Sequence, residues 1–509
     1  MQRAKINSQQ RLIVVSNRLP LTLRQDEAGH WEAEPSSGGL VSAMLPVLQD
    51  RGGVWIGWSG IAIDQPEQMA PVFAAAAAES GFDYEPVQLT AEEQTGFYYG
   101  FSNEIIWPLF HDLVTNCHFD PSYWAVYEQV NRKFTRVLEQ VCRPDDFIWV
   151  HDYHLMEVAR YLREKDRQVK AGFFLHIPFP PLEIFLKLPW RFEILRSLLE
   201  FDSLGFQTIR DRRNFLQCVK TLCDVTTHGS GSVIKLRVFD HRTRLPGGIQ
   251  AMEAREISVG SFPIGIDYGH IAGLAESAAV QAQAQWLEKN LAGRKMILGV
   301  DRLDYTKGLP SKLLAFANAL ERYPQLHGKV TLVQHVVPSR LDIPAYHNLR
   351  REIERLVSAI NGEFTEAGWV PIHYMFHSLD QDTLVAYYRT AAIALITPLK
   401  DGMNLVAKEY CASQINAEGV LILSEFAGAA AQLQKAALLV NPYNIEEVAD
   451  RLYQAFTMAQ DERRERMRRL QRAVRCHDVF HWADTFLGTL TDKNLSHFPM
   501  VGDYIPREH

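Results

Sequence analysis

The sequence predicts an α/β protein of two Rossmann-like, doubly wound parallel-sheet domains facing each other across a cleft, and three observations lead there. Short runs of Val, Ile, Leu and Phe, such as "RLIVVSN" and "KMILGVDRLD", lack polar alternation, as strands covered on both faces do. Longer helical patterns separate these runs, which is the alternation of parallel sheets. A chain of 509 residues with 47% hydrophobic and 22% charged content is too long for one core and fits two domains.

In chain order the strand runs are "RLIVVSN", "DFIWVHD" and "AGFFLHIP", then "KMILGVDRLD", "KVTLVQHVV", "IALITPLKD", "GVLILSE" and "AALLVNP". Between the groups, His228 to Asp267 carries turn residues and β-like stretches but no long helical pattern, which sets a boundary near Phe262 to Asp267. The expected domains are residues 1–261, completed by a C-terminal helix of about 477–509, and residues 262–476. "FAAAAAES", Phe73 to Ser80, is a strong helix former. "DERRERMRRLQRAVR", Asp461 to Arg475, mixes charge signs at helical spacing, as a solvated helix face does.

A formal net charge of -7 argues against nucleic acid or a lipid surface as the main partner, so an anionic ligand must be held locally. Six scattered cysteines without CxxC spacing read as reduced thiols rather than a disulfide framework or zinc site. The first residues, "MQRAKINSQQ", have no apolar signal core, and no run of about twenty apolar residues follows. A cytoplasmic protein without a membrane segment is expected; self-association is left open.

Polar residues gather where the apolar runs stop: Asn17 and Arg18; His151, Asp152 and His154; His176; Asp301, Arg302, Asp304 and Lys307; Arg340; Asp401 and Asn404. Ligands of open parallel sheets bind outside the carboxyl ends of the strands, so these residues are expected to line the cleft. Arg302 and Lys307 flank a strand-to-helix turn before Gly308, and Gly402 is read as opening another helix. Backbone N–H groups and two cations there suit a pyrophosphate. No GxxxxGK[ST] loop occurs, and "GSGSVIK" at Gly229 lacks the context of a dinucleotide fingerprint. His151 and His154 lack a third metal ligand at motif spacing, which favours hydrogen bonding or core packing. Glu409, two turns into the expected helix, is either a ribose ligand or an exposed glutamate.

Together "VVSNRLP", "SSGGLVSAM", "WIGWSG", "YYGFSNEIIWPLFH", "WVHDYHLM", "GFFLHIPFP", "DSLGFQT", "FPIGID", "VDRLDYTKGLP", "TPLKDGMNLVAKEY" and "LSEFAGAAAQL" resemble the trehalose-6-phosphate synthases, retaining glycosyltransferases of the GT-B type. The likeness runs from about Arg11 to about Trp482. It implies a UDP-glucose site in the C-terminal domain: Arg302 and Lys307 on the diphosphate, Glu409 on the ribose, and Asp401, Gly402, Met403 and Asn404, continuing into Leu405 and Val406, on the glucose and phosphate. His176 would face the donor sugar, and Gly38 and Gly39 would close over the diphosphate. Glucose 6-phosphate would meet Arg18, Tyr98 and Arg340 at its phosphate and Trp107 and Asp152 at its ring.

The resemblance implies front-side attack with retention, the departing diphosphate helping to deprotonate the acceptor hydroxyl. Arg302, Lys307, Asp152 and His176 are the expected catalytic set, with no metal and no cofactor. Glucosylglycerol-phosphate synthases, a pseudo-glycosyltransferase joining aminocyclitols and a non-catalytic nucleotide-sugar sensor are the alternatives. "LPLTLRQDEAGHWEAEPSS", residues 19–37, resembles that of the longer-loop members and reads as a hairpin lid.

Overall fold

A computed structural model describes residues 11–25, 30–36, 38–61, 69–165, 169–229, 231–239, 254–340, 343–491 and 504. The described residues up to Pro263, with Phe480–Thr491, make one compact unit, and Ile264–Val479, with Tyr504, make a second.

The strands of the first unit are β1 (Leu12–Arg18), β2 (Leu21–Gln25), β3 (Trp31–Pro35), β4 (Val54–Trp58), β5 (Asp83–Pro86), β6 (Phe147–His151), β7 (Lys170–Phe174), β8 (Ser203–Phe206), β9 (Val225–His228), β10 (Val233–Phe239) and β11 (Ala254–Ser261). Nine of them form one sheet in the order β5-β4-β1-β6-β7-β8-β11-β10-β9. Pairing is parallel from β5 to β11, and β10 runs antiparallel to both β11 and β9. The first six residues of β1 are buried and only Arg18, at its carboxyl end, is exposed. β2 and β3 make a separate two-stranded antiparallel ribbon from Leu21 to Pro35, so the segment read as a hairpin lid does form a hairpin; residues 26–29 and 37 of that segment lie outside the described residues.

The helix Val479–Thr491 packs on this first sheet, Phe486 stacking on Trp149 with ring centroids 4.9 Å apart. Gly172 makes room for it: a Cβ there would lie 2.9 Å from the Phe486 ring. The expected helix of about 477–509 is therefore described only as far as Thr491. The five strand residues of "DFIWVHD", Phe147–His151, are all buried, as in a strand covered on both faces, which is why they read as an unbroken run.

The second unit has β12 (Lys295–Arg302), β13 (Val330–Val337), β14 (Ile372–Met375), β15 (Ile393–Ile396), β16 (Val420–Ser424) and β17 (Leu438–Val440). All pair in parallel, in the order β14-β13-β12-β15-β16-β17. One core runs beneath, including Ile297, Leu313, Phe316, Leu332, Leu395 and Ile422. The basic run forms the helix Gln460–Cys476, with Glu462 and Arg466 paired one turn apart at 2.8 Å. The alanine tract lies in the helix Ala70–Ser80. All six cysteines carry free thiols.

Candidate functional site

In the first unit the strand ends carry packed, mostly uncharged groups. Arg18 leaves β1 with its guanidinium 4.6 Å above the Trp58 ring, and Ser16 Oγ donates to the Arg18 carbonyl while accepting from Trp55 Nε1. Gly38 (φ +153°) precedes the helix Gly39–Arg51, a backbone angle open to glycine.

Tyr98 and Trp107 come from an element absent from the sequence reading, a π-helix over Gln94–Ile106 that runs into the short helix Trp107–Phe110. A reciprocal cap starts the single turn Ala91–Glu93 that leads into it, Thr90 N–H donating to the Glu93 carboxylate and Glu93 N–H to Thr90 Oγ1. Gly100 lets it lie close on the helix Pro121–Val141, where a Cβ would stand 2.6 Å from the Tyr123 ring. π-helical turns are rare and concentrate at functional sites. Here Asn103 Nδ2 donates to the Tyr98 carbonyl and Tyr153 O–H to Asn103 Oδ1. The Tyr98 ring stacks on His154, centroids 5.8 Å apart.

Asp152 follows β6 with φ +70°, the left-handed region that Asp tolerates better than most residues. Its N–H donates to the Phe174 carbonyl and its carboxylate accepts from His176 N–H at 3.2 Å, tying the ends of β6 and β7 together. His176 is 2% exposed. The Gln207 amide nitrogen can only donate, so His176 Nδ1 accepts from it at 3.3 Å, and His176 Nε2–H donates to His151 Nδ1 at 3.0 Å. Burial pushes the His176 imidazole down to about 3, and burial with the neighbouring ring holds His151 well below its ordinary value. Both are neutral, and a ligand hydroxyl reaches His176 Nδ1 only by displacing Gln207.

In the second unit the same positions carry ions held by counter-ions. β12 ends at Arg302, and Asp304 caps the turn Tyr305–Lys307, accepting from Thr306 N–H at 3.0 Å and Thr306 Oγ1 at 2.9 Å. Gly308 (φ +64°) then starts the helix Leu309–Arg322; a Cβ there would lie 3.0 Å from the Thr397 carbonyl, so both conformation and space call for glycine. Asp304 is 1% exposed, with Oδ2 3.8 Å from Arg302 Nη2 and from Arg340 Nη1. Burial would raise its carboxyl, but Arg340, Arg302 and Lys307 outweigh burial and hold it below the ordinary carboxylate value. Arg340 sits at φ +49°, its side chain 6% exposed, and its Nη1 donates to the Tyr346 hydroxyl oxygen at 2.8 Å. An L-residue held there costs about 1–2 kcal/mol, and such strain concentrates at functional sites.

Lys307 Nζ meets Asp401 Oδ2 at 2.6 Å. Asp401 also accepts from Met403 N–H at 3.1 Å and Asn404 Nδ2 at 3.2 Å. The helix expected to open at Gly402 starts instead at Leu405: Asn404, at φ +60°, accepts from Ala407 N–H and caps it. Leu405 and Val406 are therefore its first two residues, where backbone N–H groups have no intrahelical acceptor. Glu409 is the fifth helical residue, about one turn in. It is half-buried, accepts from Tyr388 O–H at 3.0 Å and is raised by burial, so it is not an exposed surface glutamate.

The sequence reading names Asp304 without giving it a role and does not name Trp58, which lies under the Arg18 guanidinium. "WIGWSG" held a signal for Trp58 in its paired tryptophans, and Asp304 stood among the strand-end acids. Among the described residues, no group of three His, Cys, Asp or Glu side chains is arranged to hold a metal ion, and no helix is long and apolar enough to cross a membrane.

A family model described as glycosyltransferase family 20 matches residues 10–492. A trehalose-6-phosphate synthase of Mycolicibacterium smegmatis is 40% identical over 94% of this chain and 92% of its own length. An alpha,alpha-trehalose-phosphate synthase [UDP-forming] A of Dictyostelium discoideum is 38% identical over 96% of this chain, which spans only 64% of that protein. The crystal structure of a UDP-forming alpha,alpha-trehalose-phosphate synthase from Burkholderia xenovorans in complex with glucose-6-phosphate superposes with a TM-score of 0.83 at 35% identity, covering 95% of this chain and all (100%) of that one. A structure from E. coli bound with UDP-2-fluoro glucose superposes at 0.82 with 37% identity, covering 94% of this chain and 98% of that one.

Proposed function

The chain belongs to glycosyltransferase family 20, and on that premise we propose that it transfers glucose from UDP-glucose to glucose 6-phosphate with retention, releasing α,α-trehalose 6-phosphate and UDP. The observation that carries this reading is the ion cluster of the second unit, where Arg302, Lys307 and Arg340 collect around the buried Asp304 and Lys307 clasps Asp401. Three cations at strand ends suit phosphorylated sugars. Relatives that are UDP-forming synthases, and neighbours bound to glucose-6-phosphate and to UDP-2-fluoro glucose, support the choice of substrates.

Arg302 and Lys307 are assigned to the leaving diphosphate, where positive charge offsets the charge that develops as the glycosidic bond breaks. The Asp401–Asn404 loop and the first N–H groups of the Leu405–Ser413 helix are assigned to the glucose and phosphate oxygens, and Glu409 to the ribose. In the first unit, Gly38 and Gly39 are assigned to the diphosphate and His176 to the donor sugar. Arg18, Tyr98, Trp107 and Asp152 are assigned to the acceptor, with Arg340 on its phosphate. Asp152 gives one carboxylate, tied to His176 N–H, and a double-displacement hydrolase would need two across the scissile bond. Catalysis here rests on positioning and charge, with the diphosphate taking the acceptor proton. The protein is proposed to act in the cytoplasm.

A matrix of UDP-, GDP- and ADP-glucose against glucose 6-phosphate and glycerol 3-phosphate tests this, with mass and anomeric NMR of the product. UDP release with glucose 6-phosphate and an α,α-1,1 linkage is expected. Preference for glycerol 3-phosphate, or a β linkage, would replace this reading.

A further inference from the structure

We propose that Asp304 is a positioning residue that holds the donor-side and acceptor-side cations of the second unit in place, so that one buried carboxylate sets the affinity for both anionic substrates. The proposal rests on the glucosyltransferase reading and gives its site a shared control point.

The two oxygens of Asp304 have separate tasks. Oδ1 accepts from Thr306 N–H and Thr306 Oγ1, which locks the side chain in one orientation. Oδ2 is buried, makes no hydrogen bond among the described residues, and stands 3.8 Å from Arg302 Nη2 and from Arg340 Nη1. A cap alone needs one oxygen and leaves the other in water. Here the second oxygen is desolvated, which is costly for a carboxylate unless cations compensate. Lys307 completes the arrangement: its N–H donates to the Asp304 carbonyl at 3.1 Å and its ammonium adds to the field that keeps Asp304 ionised.

At 3.8 Å the attraction acts without a closed hydrogen bond. Asp304 therefore orients both guanidiniums without itself clamping them, as a bidentate carboxylate would. It also lowers the mutual repulsion of three cations, Arg302, Arg340 and Lys307, gathered before any substrate arrives. Arg302 and Lys307 are assigned to the donor and Arg340 to the acceptor, so the loss of one charge should be felt by both ligands.

The test is steady-state kinetics and UDP calorimetry on Asp304→Asn, Asp304→Ser and Arg340→Ala enzymes. Asp304→Asn keeps the shape and loses the charge; Asp304→Ser keeps a capping oxygen and loses the charge. Both are expected to raise the KM for UDP-glucose and for glucose 6-phosphate about tenfold or more, the scale on which misplaced binding groups act, and to weaken UDP binding. Arg340→Ala should raise only the acceptor KM, and combining it with Asp304→Asn should add less than the two separate effects, since one acts through the other. If Asp304 is only a helix cap, Asp304→Ser will bind both substrates normally and the proposal fails. Tighter anion binding in either variant, or failure of both to fold, would also overturn it. If wild-type enzyme releases no UDP with glucose 6-phosphate, the functional reading fails instead; UDP and inorganic phosphate binding by calorimetry then judge Asp304 by itself.

Discussion

The carboxyl ends of β6 and β7 in the first unit and of β12 in the second do comparable work with different materials. In the first, His151, His176 and Gln207 form a neutral chain buried among Trp149, Phe174 and Trp482, and packing fixes each ring. In the second, Arg302, Arg340, Lys307, Asp304 and Asp401 are ions, each placed by another ion. The difference teaches how a polar strand end survives desolvation. A titratable group gives up its charge where only apolar surface and neutral donors surround it, and keeps it where counter-charges stand nearby. The second arrangement suits ligands bringing charge of their own; the first gives rigidity without net charge.

The sharpest way to break this comparison is Lys307→Ala, which removes an ion from the second unit and leaves the neutral chain of the first intact. Turnover measured by UDP release should fall by about 10² or more, as for loss of one charge-stabilising group, with the thermal midpoint near that of wild type. Near-normal turnover would mean that the Lys307–Asp401 pair only fastens the loop.

Acidification sharpens the contrast further. His151 and His176 have folded values depressed below 6.5, so their unfolded forms take up protons that the folded forms refuse. Stability of the first unit should fall from about pH 6.5 to about pH 5. Glu157, raised by burial to about 7 from 4.5 in the same unit, pulls the other way, its contribution growing as pH falls through that window. Glu85 is raised by burial in the same sense; the two deeply buried imidazoles outweigh these carboxyls and leave a net loss, and Glu157→Gln should steepen it. Asp304 is depressed below 3.8, so its contribution persists throughout this range and is lost only at lower pH. His335 on β13 and the more exposed His373 on β14 are lowered by burial as well, so the second unit also weakens; β6 and β7 carry or adjoin the two more deeply buried imidazoles, and their amide exchange should quicken more than that in β12 and β15. Equal acceleration in all four strands would erase the distinction.

The smallest effect expected is that of Arg469→Ala. Arg469 and Glu465 pair on the exposed face of the Gln460–Cys476 helix, with side chains 60% and 64% exposed. Ions facing water need no partner, so the stability in urea should stay within about 0.5 kcal/mol of wild type. A larger loss would show that counter-ion placement matters at the surface as well as at the site.

Much of this molecule could be read from local pattern. β1, β6, β12, β13 and β16 are buried on both faces, and the unbroken apolar runs that follow from that burial are visible in the chain. The strand-end polar residues were legible because each interrupts such a run. β5 ("DYEP") and β8 ("SLGF") were not, since the first is polar and the second has only two large apolar residues among four, too short a pattern to read before parallel neighbours pair with it. The π-helix was also hidden: two glycines and four aromatics fit several conformations until the Pro121–Val141 helix packs against them.

By itself, then, the sequence determined the α/β class, the strand ends that would carry chemistry, and the mixed-sign surface helix, because apolar periodicity and charge spacing act over a few residues. Tertiary structure alone decided who holds whom. Lys307 and Asp401 are 94 positions apart, and no local rule joins them. The start of the Leu405–Ser413 helix was decided there too: Asp401 holds the Met403 N–H and the Asn404 side chain, while Gly428 N–H binds the Asp401 carbonyl, so the chain turns helical only after Asn404. Coulomb attraction and desolvation depend on distance through space, and that distance exists only after the strands have paired.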